Sequence, residues 1–134
     1  MALQYSVAVR NGRLDTVETV AGTAVLLRFF TGAPPADCAT GASGTQLASQ
    51  ALPSDWLAAA SAGVKAKTGT WSGTFSAAGT VGYFRILDST GTTCHAQGTV
   101  TATGGGGDMT LDNTVAANGQ AWTVNTFSLT GGNA

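Results

Sequence analysis

The sequence is short of charge. Only 10% of its 134 residues are Asp, Glu, Lys or Arg, with one glutamate, two lysines and one histidine, and the formal net charge is −1. Without a basic stripe or an acidic block there is no electrostatic footprint for nucleic acid or for anionic lipid, and neither is expected as a partner. Long apolar runs are missing too. No stretch approaches the ~18 uninterrupted apolar residues of a membrane-spanning helix, so no membrane partner is expected either. The opening Met1-Ala2-Leu3-Gln4-Tyr5-Ser6-Val7-Ala8-Val9-Arg10 has no basic segment followed by a long apolar run, which argues against a secretory signal and for a soluble protein made in the cytosol. Cys38 and Cys94 are the only cysteines. They are too few and too far apart to indicate a disulfide framework or a zinc site.

What is plentiful is small: 19 glycines, 21 threonines and 23 alanines, a composition that favours strands and turns over exposed helices. A chain of this length is one domain that buries roughly two thirds of its unfolded surface. The expectation is a single domain over residues 1–134, mostly β, folded as a β-sandwich of jelly-roll-like or Greek-key type, with a helical segment within residues 1–20.

The clearest element is a β-hairpin running from Val81 to Val100. Asp88 opens and Gly91 closes a turn of type I followed by a left-handed glycine, which sets Asp88 opposite Thr92. Ile86 then faces Cys94, Phe84 faces Ala96 and Gly82 faces Gly98 on an apolar side. Arg85 meets His95 and Tyr83 meets Gln97 on a polar side. Alternation of this kind belongs to an antiparallel sheet with one buried and one solvated face. Cys94 falls on the apolar side and reads as a buried free thiol.

Before the hairpin, Leu3, Val7, Leu14 and Val17 fall on one side of a helix over about residues 3–19, leaving Arg13, Asp15 and Glu18 to the other, although Tyr5, Val7 and Val9 also alternate as a strand would. Ala21-Gly22 stops the helix, and residues 23–30 form an inner strand. Residues 31–44, with Pro34-Pro35, lack periodicity and read as a long surface loop, either functional or a crossover between sheets. Residues 45–52 resume as a strand, Ser54 caps a short helical turn over 55–60, and residues 64–76 carry Trp71 and Phe75 on one parity with Gly69 and Gly73. The run Gly104-Gly105-Gly106-Gly107 reads as a flexible connection. Asn118-Gly119 marks a turn, and the parity change between Trp122/Val124 and Phe127/Leu129 requires a bulge or a bend between sheets. Seven or eight strands result.

No chemical constellation assembles from these residues. His95 has no nucleophile and carboxylate placed around it, and there is no Gly-x-Ser-x-Gly elbow. The acidic residues are scattered; Asp108 and Asp112 share a strand face but lack calcium-loop spacing. The glycine run leads into a strand and has no lysine or helix to cradle phosphate. Trp56, Trp71 and Trp122 sit in apolar patterns that favour core packing over stacking on sugars. Neither a catalytic residue, a cofactor nor a metal is expected.

The opening residues 1–11, Thr31-Gly32-Ala33-Pro34-Pro35 with Cys38, Leu52-Pro53-Ser54-Asp55-Trp56, Phe84-Arg85-Ile86 with Gly91-Thr92-Thr93-Cys94-His95, and Leu111-Asp112-Asn113-Thr114 together resemble a family of small tailed-bacteriophage structural proteins. The resemblance spans most of the chain and carries no enzymatic signature. It implies a virion component made in the host cytoplasm and placed on the capsid surface, a decoration or cement protein whose partner is the major capsid protein. A tail- or fibre-associated module for a host receptor or carbohydrate is the alternative. Two surfaces are candidates for contact, the loop around Pro34, Pro35 and Asp37 and the polar hairpin face with Tyr83, Arg85 and His95. Edge strands so low in charge need covering, so a homo-oligomer, dimer or trimer, is expected.

Overall fold

The computed structural model describes residues 3–131. Its one helix, α1, spans Val7–Ala21. Ser6 sets the start because its hydroxyl accepts the Val9 N–H (3.2 Å), satisfying a donor that the first turn leaves free. Gly22 sets the end at φ +87, its N–H returning to the Glu18 carbonyl (2.9 Å). The helix therefore begins four residues later than its apolar pattern implies, and its seam is shorter. Leu14 and Ala21 are buried and Val17 is packed against the core, but Leu3 and Val7, expected on the same seam, are 64% and 47% exposed. Met1 and Ala2 lie outside the described residues.

Ten strands follow: β1 (Leu26–Thr31), β2 (Gln46–Ala51), β3 (Val64–Ala66), β4 (Trp71–Thr74), β5 (Gly79–Leu87), β6 (Cys94–Ala102), β7 (Met109–Leu111), β8 (Val115–Ala116), β9 (Ala121–Val124) and β10 (Ser128–Thr130). The main sheet has the order β2-β1-β5-β6-β7, with β8 paired to the start of β5. Two strand pairs, β3 with β10 and β4 with β9, form the opposing layer. Between the layers lies a core of Leu27, Phe29, Phe84 and Ile86 from the main sheet against Trp71, Phe75, Trp122 and Phe127. The rings lock edge to face, Phe29 on Trp122 with centroids 4.9 Å apart and Phe84 on Phe127 at 5.7 Å. Gly73 leaves room for the Trp122 ring on the neighbouring strand, where a Cβ would sit 2.9 Å from it. The parity change after Val124 is resolved by a bend, since β9 and β10 belong to different strand pairs. The protein is thus a mostly β sandwich with one amino-terminal helix.

Three local readings are corrected. In the hairpin, Gly91 does take the left-handed conformation (φ +72) and its N–H bonds the Asp88 carbonyl, but the Asp88 carboxylate also accepts the N–H of Thr92 (2.9 Å) and of Thr93 (3.3 Å). The loop is thereby extended, and the first ladder pair is Leu87 with Cys94. Ile86 pairs with Ala96, Arg85 with Gln97, Phe84 with Gly98 and Tyr83 with Thr99. A displacement of two residues preserves which face each side chain occupies, so Phe84 and Ile86 are still buried. His95 is the extra residue of a bulge between the Leu87 and Ile86 pairs, and it does not oppose Arg85.

The glycine run is not slack. β6 and β7 are parallel, with Val100 beside Met109, and residues 103–108 hook back between them. Parallel neighbours ordinarily need a longer crossover. Here the hook closes through Gly105 N–H to the Ala102 carbonyl and Gly107 N–H to the Thr101 hydroxyl, with Gly104 and Gly106 both at positive φ. Residues 55–60 are not a helical turn either. Leu57 instead forms an antiparallel bridge with Lys67, and the Trp56 indole donates to the Gly22 carbonyl (3.0 Å), both side chains being 1% exposed.

Candidate contact surface

The polar face of the central hairpin is covered. Residues 32–44 leave β1 and return to β2, closing where Thr31 N–H meets the Thr45 carbonyl (3.0 Å) and Thr45 N–H meets the Thr31 hydroxyl (2.9 Å). Between these joined ends the chain lies over β5 and β6 as an Ω-loop. Gly82 in β5 permits the approach, since a side chain there would strike the Gly32 carbonyl.

Side chains from the sheet hold the loop by its backbone. Tyr83, 0% exposed and stacked on Phe30 with centroids 5.0 Å apart, donates its hydroxyl to the Ser43 carbonyl (2.6 Å) and accepts the Ser43 N–H (2.9 Å). Arg85, 4% exposed, directs one terminal nitrogen to the carbonyls of Thr40 (2.6 Å) and Asp37 (3.2 Å). Gln97 donates to the Pro35 carbonyl (2.7 Å). Asp37 shapes the turn from within, its carboxylate accepting both the hydroxyl (2.9 Å) and the N–H (2.8 Å) of Thr40. Those two bonds hold its pKa below 3.8.

Cys94 is not a free thiol. It is half-buried and bonded to Cys38 across 56 residues, tying the loop to the bulged end of β6. Even parity put Cys94 with Ala96 on the inner face, but the extra residue at His95 turns Cys94 to the side of Leu87 and Arg85, where the loop lies.

The six residues expected at contact surfaces thus divide. Pro34 and Pro35 are half-buried, Asp37 is exposed and His95 is half-buried beside the disulfide, so these four remain on the surface. Tyr83 and Arg85 do not; they are the fastenings beneath it. What were two candidate surfaces form one, a loop and the sheet face that anchors it. Ser43, Thr40, Gln97 and Phe30 complete the fastening. Strand parity had placed Gln97 on the polar hairpin face, and Thr40 was signalled by the Asp37-x-x-Thr40 spacing of a side-chain-capped turn.

A second polar cluster fixes the helix. Lys65 on β3 is 2% exposed and its Nζ lies 2.7 Å from Asp15 and 3.0 Å from Glu18, one helical turn apart. Burial alone would lower the lysine pKa, but the bonds to Asp15 and Glu18 outweigh it and the net direction is upward from 10.5. Asp15 moves the other way, below 3.8, through its bond from Lys65 and another from the Ala60 N–H. The carboxylates that sequence periodicity placed on the helix side away from its apolar seam clamp a buried ammonium. Among the described residues, no group of three or more His, Cys, Asp or Glu side chains is placed to hold a metal ion.

Comparison with family models, curated proteins and solved structures returns no match, so the functional reading rests on the residues and the geometry set out above.

Proposed function

We propose that this is a virion structural protein of tailed bacteriophages, a decoration protein that binds the major capsid protein on the outside of the head shell in many copies and stabilises it without catalysing a reaction. The supporting observation is the fastened loop. A segment without regular structure is locked by one disulfide and by four side-chain hydrogen bonds from Tyr83, Arg85 and Gln97, and it holds Pro34, Pro35 and Asp37 at the surface. A preorganised loop loses little conformational entropy on docking, which suits a part that must grip a repeated surface with few charges. Modest affinity per copy is sufficient, because a ligand that binds only the intact lattice opposes its disassembly in proportion to occupancy. The family resemblance of the sequence points the same way.

The alternative, a tail-associated carbohydrate-binding module, would draw on exposed aromatic platforms. Trp56, Trp71 and Trp122 are 1%, 0% and 4% exposed and supply none. The deciding experiment removes the protein from particles and measures rupture on heating or osmotic shock, then adds it back. Lower shell stability restored by re-addition is expected. Particles that lack it, keep full stability and fail to adsorb to cells would reverse the assignment.

A further inference from the structure

The main sheet and the β3–β10 pair do not meet along one side of the sandwich, and the gap has the character of a missing strand. On β6, the Thr99 N–H turns away from β5 to the Asp108 carboxylate (3.0 Å), and beyond the strand the Thr103 N–H turns to Leu111 of β7 (3.1 Å). Odd-numbered backbone groups of β6 therefore face away from β5, and Gln97 shares their parity. Among the described residues no strand pairs with it there, because β7 begins only at the level of Val100. On β10, the Phe127 carbonyl and the Gly131 N–H are bonded to Lys67 and Gly63 on the β3 side, so the backbones of Ser128 and Thr130 face the opposite way. Between Gln97 and the outward-facing backbones of Ser128 and Thr130 lies a groove of about 360 Å³ lined by Phe84, Gln97, Asp108, Phe127 and the residues of β10. It continues past Asp108 and Ser128 into a hollow of about 370 Å³.

We infer that this groove receives an extended segment as an added strand, and that the segment is Leu3–Ser6 of a second copy of the chain. Open strand edges with outward-facing amides are templates for strand addition, in which main-chain bonds supply affinity and alternate side chains supply register. The segment has the required pattern. Leu3 and Tyr5 alternate with Gln4 and Ser6, it belongs to neither helix nor sheet, and Leu3 is 64% exposed. Laid on the groove, its apolar side would meet the Phe84 and Phe127 rings.

Position and charge favour the same occupant. Arg10, one turn into α1, donates to the Gly131 carbonyl (3.4 Å), so the root of the segment emerges beside the end of β10. A four-residue segment reaches up to ~13 Å when extended, enough for reciprocal exchange across a two-fold axis at that end of the groove. Leu3–Ser6 carries no carboxylate, so seating it beside the exposed Asp108 brings no like charge together. Exchange would cover the exposed Leu3 and the outward-facing backbones of Ser128 and Thr130 at once. It does not depend on the capsid reading.

The test uses the full chain and a variant lacking residues 2–5, which keeps Ser6 as the helix cap. Sedimentation of the full chain is expected to show a concentration-dependent dimer. In it, hydrogen exchange at the Gln97, Ser128 and Thr130 amides should be at least about tenfold slower than in the deletion variant. That variant should be a monomer with an unchanged near-ultraviolet tryptophan spectrum. Leu3→Asp, which preserves chain length, should behave the same way. A deletion variant that remains dimeric, a full chain that is monomeric at its highest soluble concentration, or groove amides that become protected only when capsid shells are added would each overturn the assignment to a second copy.

Discussion

The two faces of the main sheet are covered by different means. The inner face carries Leu27, Phe29, Phe84 and Ile86 and meets three tryptophans and two phenylalanines from the other layer and its connections, in a core of apolar side chains. Its cohesion is a matter of area and shape, spread over many contacts that are individually weak. The outer face carries Phe30, Tyr83, Arg85 and Gln97 and is covered by a loop with no strand or helix of its own. That loop has little apolar surface to bury, so it is held at a few points by directional bonds and one covalent link. The comparison shows how burial alone does not define a core: Phe29 and Tyr83 are both fully buried, yet the first serves packing and the second a fastening.

The largest effect is expected on the inner face. Trp71→Ala removes a ring packed against Trp56 and Phe127, and should cost about 3–5 kcal/mol of unfolding free energy, measured by denaturant titration. The outer face should respond next. Cys94→Ser with Cys38→Ser frees a 56-residue separation and should cost about 2–4 kcal/mol. Unlike the core variant, it should speed hydrogen exchange in residues 32–44 well before global unfolding. If the disulfide variant loosened core and loop equally, the two faces would be one cooperative unit. A smaller loss, about 1–3 kcal/mol, is expected for Tyr83→Phe, which leaves both the N–H and the carbonyl of Ser43 without the hydroxyl and should again act first on the loop.

Acid should separate the faces without mutation. Asp15, Asp37 and Asp88 all have folded pKa values below 3.8, through bonds from Lys65, from the hydroxyl and N–H of Thr40, and from the Thr92 N–H. Groups depressed in the folded state stabilise it above their unfolded pKa, and that contribution is lost as pH falls through the folded values. Below pH 3.8 the loop, the hairpin turn and the helix clamp should therefore weaken while the core persists. Lys65 gives the opposite limb, since its raised value is a stabilisation lost only as pH rises beyond 10.5. Exchange at Thr40 and Thr92 followed against tryptophan fluorescence would check this, and simultaneous loss of both signals would contradict it.

Several features were legible in the sequence because each is a matter of local spacing. The strand class, the Gly22 stop, the left-handed Gly91, the turn at Asn118-Gly119, the inward parity of Trp71 and Phe75 and the bend after Val124 all follow from conformational preferences within a few residues. Hairpin faces were legible but hairpin partners were not. The alternation of Phe84 and Ile86 fixes parity, while the register depends on the N–H groups that the Asp88 carboxylate gathers, which moved the pairing by one residue, and on the bulge at His95, which moved it by one more.

The contact surface was legible only in part. Pro34, Pro35 and Asp37 announced a loop, but nothing in their spacing says where a loop lies. A polar side chain such as Tyr83 or Arg85 looks the same in sequence whether water or a carbonyl satisfies it. Cys38 and Cys94, Lys65 and the pair Asp15 and Glu18, Gly82 and Gly32 are each far apart along the chain and meet only once the strands are in place. By itself the sequence determined the strand class, most of the turns and which side of the hairpin strands is apolar, because steric and hydrophobic periodicity act over neighbouring residues. The tertiary structure alone decided that the polar face would be roofed, that the two thiols would join and that the lysine would be buried between two carboxylates, because those outcomes depend on long-range approach that no local pattern encodes.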